Sequence, residues 1–126
     1  MHKNNLKDRL VVFAVRIINL SESLPSSYAG THLSKQICRS GTSPALNYAE
    51  AQAAESRADF IHKIKIVLKE LRETSVCLKI IALKGYSNKN SITNLQNENH
   101  ELISIFMTSV KTAMTNRLKE KQSKRA

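Results

Sequence analysis

Between Ser56 and Gly85 apolar residues recur at the spacing of one helix face. Phe60, Ile64, Val67, Leu71, Leu78 and Ile81 follow one another at intervals of four, three, four, seven and three. Ile61, Leu68, Val76, Ile80 and Leu83 widen that stripe. Ser56-Arg-Ala-Asp59 reads as a capping box, with Asp in place of the usual Glu, and Gly85 follows Lys84 as a terminator. The pattern predicts a helix over 57–84. A helix this long with a broad apolar side needs other helices to cover it.

Composition points the same way. The 126 residues include three Gly and two Pro, too little punctuation for a turn-rich β-architecture. Trp is absent and aromatics make up 5%, so the core is aliphatic. The longest apolar run, Leu10 to Val15, is far short of the roughly 20 residues that span a bilayer. Met1 to Asn5 are polar and show no signal-peptide core, so the expected location is cytoplasmic, with no membrane partner.

Three further segments have the helical period. Over 5–24, Leu6, Leu10, Phe13, Ile17, Leu20 and Leu24 form one stripe, and Val11, Ala14, Val15 and Ile18 a second. That helix either lies deep in a bundle or turns its second stripe to another subunit; Pro25 ends it. Over 28–54, Leu33, Ile37, Leu46 and Tyr48 supply the apolar side. Gly41 and Pro44 interrupt it. Either a new helix begins there, with Ser43 as N-cap, or one helix runs through with a kink and hydroxyls bond the freed carbonyls. Over 94–118, capped by Asn94, the residues Leu95, Leu102, Phe106, Val110, Ala113 and Met114 point inward, flanked by Ile103, Met107 and Leu118. A basic tail, 119–126, is expected to fray. The prediction is an all-α, antiparallel up-and-down four-helix bundle forming one domain.

No catalytic motif stands out. A di-iron site would need Glu-x-x-His on two helices. Asp59-Phe-Ile-His62, with Glu98 and His100-Glu101, offers only one imperfect copy. His2, His32, His62 and His100 are scattered, and Cys38 and Cys77 match no metal spacing and read as buried thiols. The expectation is a protein that is not an enzyme and uses no cofactor or metal.

Two polar patterns remain. Arg39, Ser43, Asn47 and Glu50 share one face of the second helix, and Glu70, Glu73 and Thr74 cluster on the third. They predict a structural hydrogen-bonded network in which Arg39 neutralises a glutamate. The chain also carries a net charge of +10. Lys65, Lys69, Arg72 and Lys79 follow helical spacing, while Lys111, Arg117, Lys119, Lys121, Lys124 and Arg125 gather near the C-terminus. These ten are candidate phosphate contacts, although such a ridge is also compatible with a merely solvated face. Few aromatics are available for stacking single-stranded bases.

Two stretches, RSGTSPALNYAEA (39–51) and SRADFIHKIKIVLKELRETSVCLKII (56–81), closely resemble the bacterial four-helix-bundle proteins encoded within intervening sequences of large-subunit ribosomal RNA genes. The first and fourth helices resemble that family by pattern alone. The resemblance implies an up-and-down bundle and a ring-shaped homopentamer. It also implies a distant likeness to the accessory variability protein of diversity-generating retroelements, a basic pentamer associated with a reverse transcriptase and nucleic acid. Arg39, Ser43, Asn47, Glu50, Glu70 and Glu73 match signature positions of the intervening-sequence family, which has no established catalytic residues to transfer. This chain departs from the pattern at Pro44, where an aliphatic residue is usual, and at Val76 and Cys77, where an aromatic pair is common. The expected function is therefore a non-enzymatic oligomeric scaffold binding RNA, or DNA, through phosphates. The alternative is an adaptor for another protein, such as a nucleic-acid enzyme.

Overall fold

A computed structural model describes residues 5–125, so His2 and Ala126 lie outside the described residues. Four helices follow in order and no strand is present among those residues: α1 (Leu6–Ser23), α2 (Tyr28–Gln52), α3 (Arg57–Lys84) and α4 (Lys89–Arg125).

Local chemistry sets the helix ends. The Asn5 side chain accepts from the amide of Asp8, and Ser27 from that of Gly30. Ser56 accepts from the amide of Asp59 at 3.0 Å, the N-cap half of the expected box. Gly85 ends α3 in the left-handed region at φ 72°, which costs a residue without Cβ little. Its amide donates to the Ala82 carbonyl and that of Tyr86 to the Ile81 carbonyl, the double closure of a Schellman turn.

Contacts between helices reveal the topology. The Ser34 hydroxyl bonds the Ser21 carbonyl, while Gly41 backs onto Ile17. Arg39 reaches Glu70, and Lys63 reaches Glu50. The Asn99 amide donates to the Leu71 carbonyl, and Arg57 pairs with Glu120. In every pair one residue number rises as the other falls, so successive helices are antiparallel. α1 packs on α2, α2 on α3 and α3 on α4, whereas α1 and α4 touch only lightly. Leu10, Phe13 and Ile17 of α1, Ile37 of α2, Ile64, Leu71 and Leu78 of α3, and Leu102 and Phe106 of α4 are almost fully buried. Burying each contributes roughly 1.5–3 kcal/mol relative to exposure. Tyr48 and Phe106 meet edge to face at 5.5 Å.

α2 is one helix through Pro44, so Ser43 is not an N-cap. Pro44 leaves the Ser40 carbonyl without its usual helical donor. Nearby, the Thr42 hydroxyl donates to the carbonyls of Cys38 and Arg39, at 2.7 and 3.3 Å. α4 is longer than predicted at both ends. Its cap is Asn88, whose side chain accepts from the amides of Asn90 and Ser91, while Ile92 buries in the first turn; Asn94 lies inside the helix. At the other end 119–125 is helical, not frayed. The Glu120–Arg57 pair ties it to α3, and Lys124 and Arg125 complement the negative end of the helix dipole.

Several residues predicted to face inward do not. Leu46 is 68% exposed. It sits two residues, about 200° of helix, beyond buried Pro44. Val76, Ile80 and Leu83 look outward because α3 is flanked by α2 and α4 only, and Cys77, Leu78 and Ile81 occupy the inward face. Met107, Met114 and Leu118 are exposed for the same reason, and of the two alternatives for the second stripe of α1, the exposed Val11 and Val15 exclude burial deep in the bundle.

Candidate nucleic-acid interface

The outward face of α3, which also carries Val76, Ile80 and Leu83, holds the predicted basic ridge. Lys65, Lys69, Arg72 and Lys79 are all exposed along it. From Lys65 to Lys79 they span about 21 Å of helix axis. The antiparallel pairing of α3 with α4 brings the predicted C-terminal cations towards one end of this ridge. Lys65 of α3 meets Arg117 and Lys121 of α4 around a groove of about 160 Å³, whose apolar side is Ile61, Met114 and Leu118.

The ten predicted cations therefore do not form one patch. Lys65, Arg117 and Lys121 converge. Lys124 lies on the same side of α4 as Arg117, two turns on, and Lys119 about 200° round from it. Lys79 belongs to the far end of α3, beside the N-terminal half of α4. Glu120 stands between Arg117 and Lys121 in sequence, but its carboxylate is held by Arg57 at 2.7 Å. The Arg57 hydrogen bond lowers the Glu120 pKa below the usual carboxylate value. Arg117 and Lys121 have no carboxylate within salt-bridge distance among the described residues. Unpaired cations on a helical surface have the chemistry to contact phosphates without reading bases. The apolar side of the groove was not predicted as part of a site, since Ile61, Met114 and Leu118 were assigned to the core.

The predicted polar network is three separate groups. Arg39 donates to Glu70 at 2.9 Å and also to Glu73 and Gln36. Asn47 bonds back within α2 to Ser43, through both hydroxyl and carbonyl oxygens. Glu50 pairs with Lys63 at 3.2 Å. Thr74 turns instead into the core, where the Ser40 hydroxyl accepts from it at 2.9 Å. A fourth group went unread: Arg9 binds Glu98 and Glu101 across α1 and α4, and Gln96, Asn99 and His100 face α3. The Glu98 hydrogen bond, more than burial, sets the pKa of Arg9, which is raised. Asn99 occupies the gap between Leu95 and Leu102 in the apolar stripe of α4, which was a legible signal for a buried amide. Glu98 and Glu101 are thus engaged by an arginine, Asp59 sits at a helix cap and His62 is exposed. Among the described residues no three His, Cys, Asp or Glu side chains group to hold a metal ion.

Fold and surface together define a small all-helical protein with four antiparallel helices and a basic α3–α4 face. No described helix is long and apolar enough to cross a membrane. The chain belongs to the 23S rRNA-intervening sequence protein family, whose model matches residues 3–108. It is similar to a crystal structure of a Bacteroides thetaiotaomicron protein of unknown function from the S23 ribosomal protein family. The two share 38% identity over 85% of this chain and 99% of the other, with a TM-score of 0.80. No curated protein matches the chain. The family match stops before Arg117 and Lys121, so one wall of the groove lies outside the matched segment.

Proposed function

We propose that this protein is a non-enzymatic, homo-oligomeric scaffold that binds structured RNA through phosphate contacts on its α3–α4 face. The observation that carries the reading is the convergence of Lys65, Arg117 and Lys121 on one groove, with Lys69 and Arg72 continuing the charge along α3. The surface is helical and basic, and its groove is lined by no aromatic residue. That suits the backbone of a folded RNA better than splayed single-stranded bases. The outward valines of α1, Val11 and Val15, support self-association into the pentamer that the family resemblance implies. Five copies would carry five times the +10 of one chain, a strong field for a polyanion.

Light scattering after size exclusion, with and without a structured RNA at low and moderate salt, tests this. The expected result is a pentamer that gains mass with RNA and releases it as salt rises. A monomer indifferent to RNA overturns the reading.

A second reading, an adaptor for another protein, is favoured by the outward apolar stripe of Val76, Ile80 and Leu83 on α3. Binding to a partner that survives high salt would select it.

A further inference from the structure

At the end of the bundle that carries the α3–α4 turn, α1 and α4 border a cleft of about 360 Å³. That is within the roughly 300–1,000 Å³ range of small-molecule sites. Arg16, Asn19 and Ser23 line it from α1, Ser87 from the α3–α4 turn, and Ser91 and Asn94 from the first turns of α4. Leu20 and Leu95 give it an apolar side and are themselves buried. No carboxylate lines it.

Arg16 is the one cation in its lining. Arg9, Arg39 and Arg57 are each bonded to one or more carboxylates. Arg16 is partly buried, yet has no carboxylate within salt-bridge distance among the described residues. A guanidinium with no carboxylate partner is suited to an anion from outside, and its planar fork matches phosphate. The surrounding side chains are neutral hydroxyls and amides, able to bond both phosphate oxygens and the hydroxyls or ring edges beside them. The α4 N-terminus is a minor contributor. Asn88 already accepts from two of its first amides, which leaves mainly the favourable sign of its dipole.

We propose that this cleft binds a phosphate monoester on a ligand of nucleotide size, with Arg16 gripping the phosphate and Asn19, Ser91 and Asn94 completing its contacts. The site lies about 40 Å along α4 from the Lys65–Arg117–Lys121 groove and does not depend on the function proposed for that groove. The phosphate could belong to a free nucleotide or to the 5′ end of an RNA.

The test is a set of titrations of the full-length protein followed by NMR, using inorganic phosphate, AMP and one short RNA with either a 5′-phosphate or a 5′-hydroxyl. Expected are shifts of the Asn19 and Asn94 side-chain amides. Arg16→Gln should weaken binding about tenfold or more, the range of a lost charge-assisted bidentate contact, and Arg16→Lys should weaken it less. Lys35→Gln, an equal loss of charge at an exposed residue of α2 that lines neither groove nor cleft, should leave it unchanged. A preference for 5′-phosphate over 5′-hydroxyl RNA assigns the site to an RNA end. AMP binding without that preference assigns it to a free nucleotide. The proposal is overturned if no probe moves Asn19 or Asn94, or if a folded Arg16→Gln protein, judged by its circular dichroism, binds every probe as the parent does. Salt-sensitive RNA binding that is abolished by loss of Lys65, Arg117 and Lys121, but not of Arg16, would separate the two sites.

Discussion

Gly41 of α2 lies against Ile17 of α1 so closely that a methyl group built on it would sit 2.5 Å from Ile17 Cγ2. Ile17 is fully buried and cannot swing aside. Ala in place of Gly favours a helix by about 1 kcal/mol, but overpacking a core costs about 1–3 kcal/mol. Gly41→Ala should therefore lower stability, by about 1 kcal/mol. In an Ile17→Ala background, where the space is open, the same change should raise it. Urea unfolding of the four proteins in this cycle measures the reversal of sign.

Arg39 neutralises Glu70, whose side chain is 8% exposed. Arg39→Met leaves that carboxylate buried with no guanidinium. Fully buried pairs lose about 3–5 kcal/mol when one partner is removed. Arg39 is half exposed, so a loss of about 2 kcal/mol is expected. Glu70→Gln on top of Arg39→Met should recover part of it, which denaturant midpoints will show.

Asn99 is fully buried and its amide nitrogen bonds the Leu71 carbonyl at 2.9 Å, but its Oδ1 has no partner among the described residues. A buried unsatisfied oxygen costs about 1–3 kcal/mol, against roughly 1 kcal/mol gained from the bond that is made. Asn99→Leu is expected to leave stability unchanged or raise it by about 1 kcal/mol. Asn99→Asp, which buries a carboxylate, should lower the melting temperature at neutral pH and recover towards pH 4.

Burial pushes the Cys77 thiol above its ordinary value of 9.0; Glu73 adds to the rise and Arg39 opposes it. A folded pKa above the unfolded one means that the folded chain holds its proton longer. Stability is thus full below pH 9 and falls as pH climbs through the folded value. Cys77→Ala should flatten this alkaline decline. With a thiol reagent near neutral pH, the partly exposed Cys38 should react first and Cys77 only on unfolding.

Replacing Lys65, Arg117 and Lys121 together with Gln should reduce the slope of log affinity against log salt for structured RNA by about 2 to 3, near one unit per lost phosphate contact. Affinity measured at several salt concentrations gives that slope. An unchanged slope would place the contacts elsewhere on the surface.

Much of the bundle was legible because helix periodicity and end chemistry are local. The α3 boundaries, with Ser56 and Gly85 at its ends, follow from residues within one turn of each other. Asn88 and Asn94 are equally good capping residues by type, and the burial of Ile92, with the amides that Asn88 accepts, distinguishes them. For the candidate site, the cations were legible as residues but not as a group. Lys65 and Arg117 meet through the register of two antiparallel helices, and no spacing along the chain encodes that register.

Four helices, their order and the basic character of the surface follow from the residue types present and from their period. Tertiary structure decided which apolar residues are core. Val76, Ile80, Met107 and Met114 satisfy the helical pattern as well as Leu78 or Phe106, yet lie outward. A helix in a four-helix bundle has only two neighbours in close packing, and those neighbours cover one side of it. The opening between α1 and α4, with Arg16 in its wall, was likewise decided only there, by how far two helices distant in sequence are held apart.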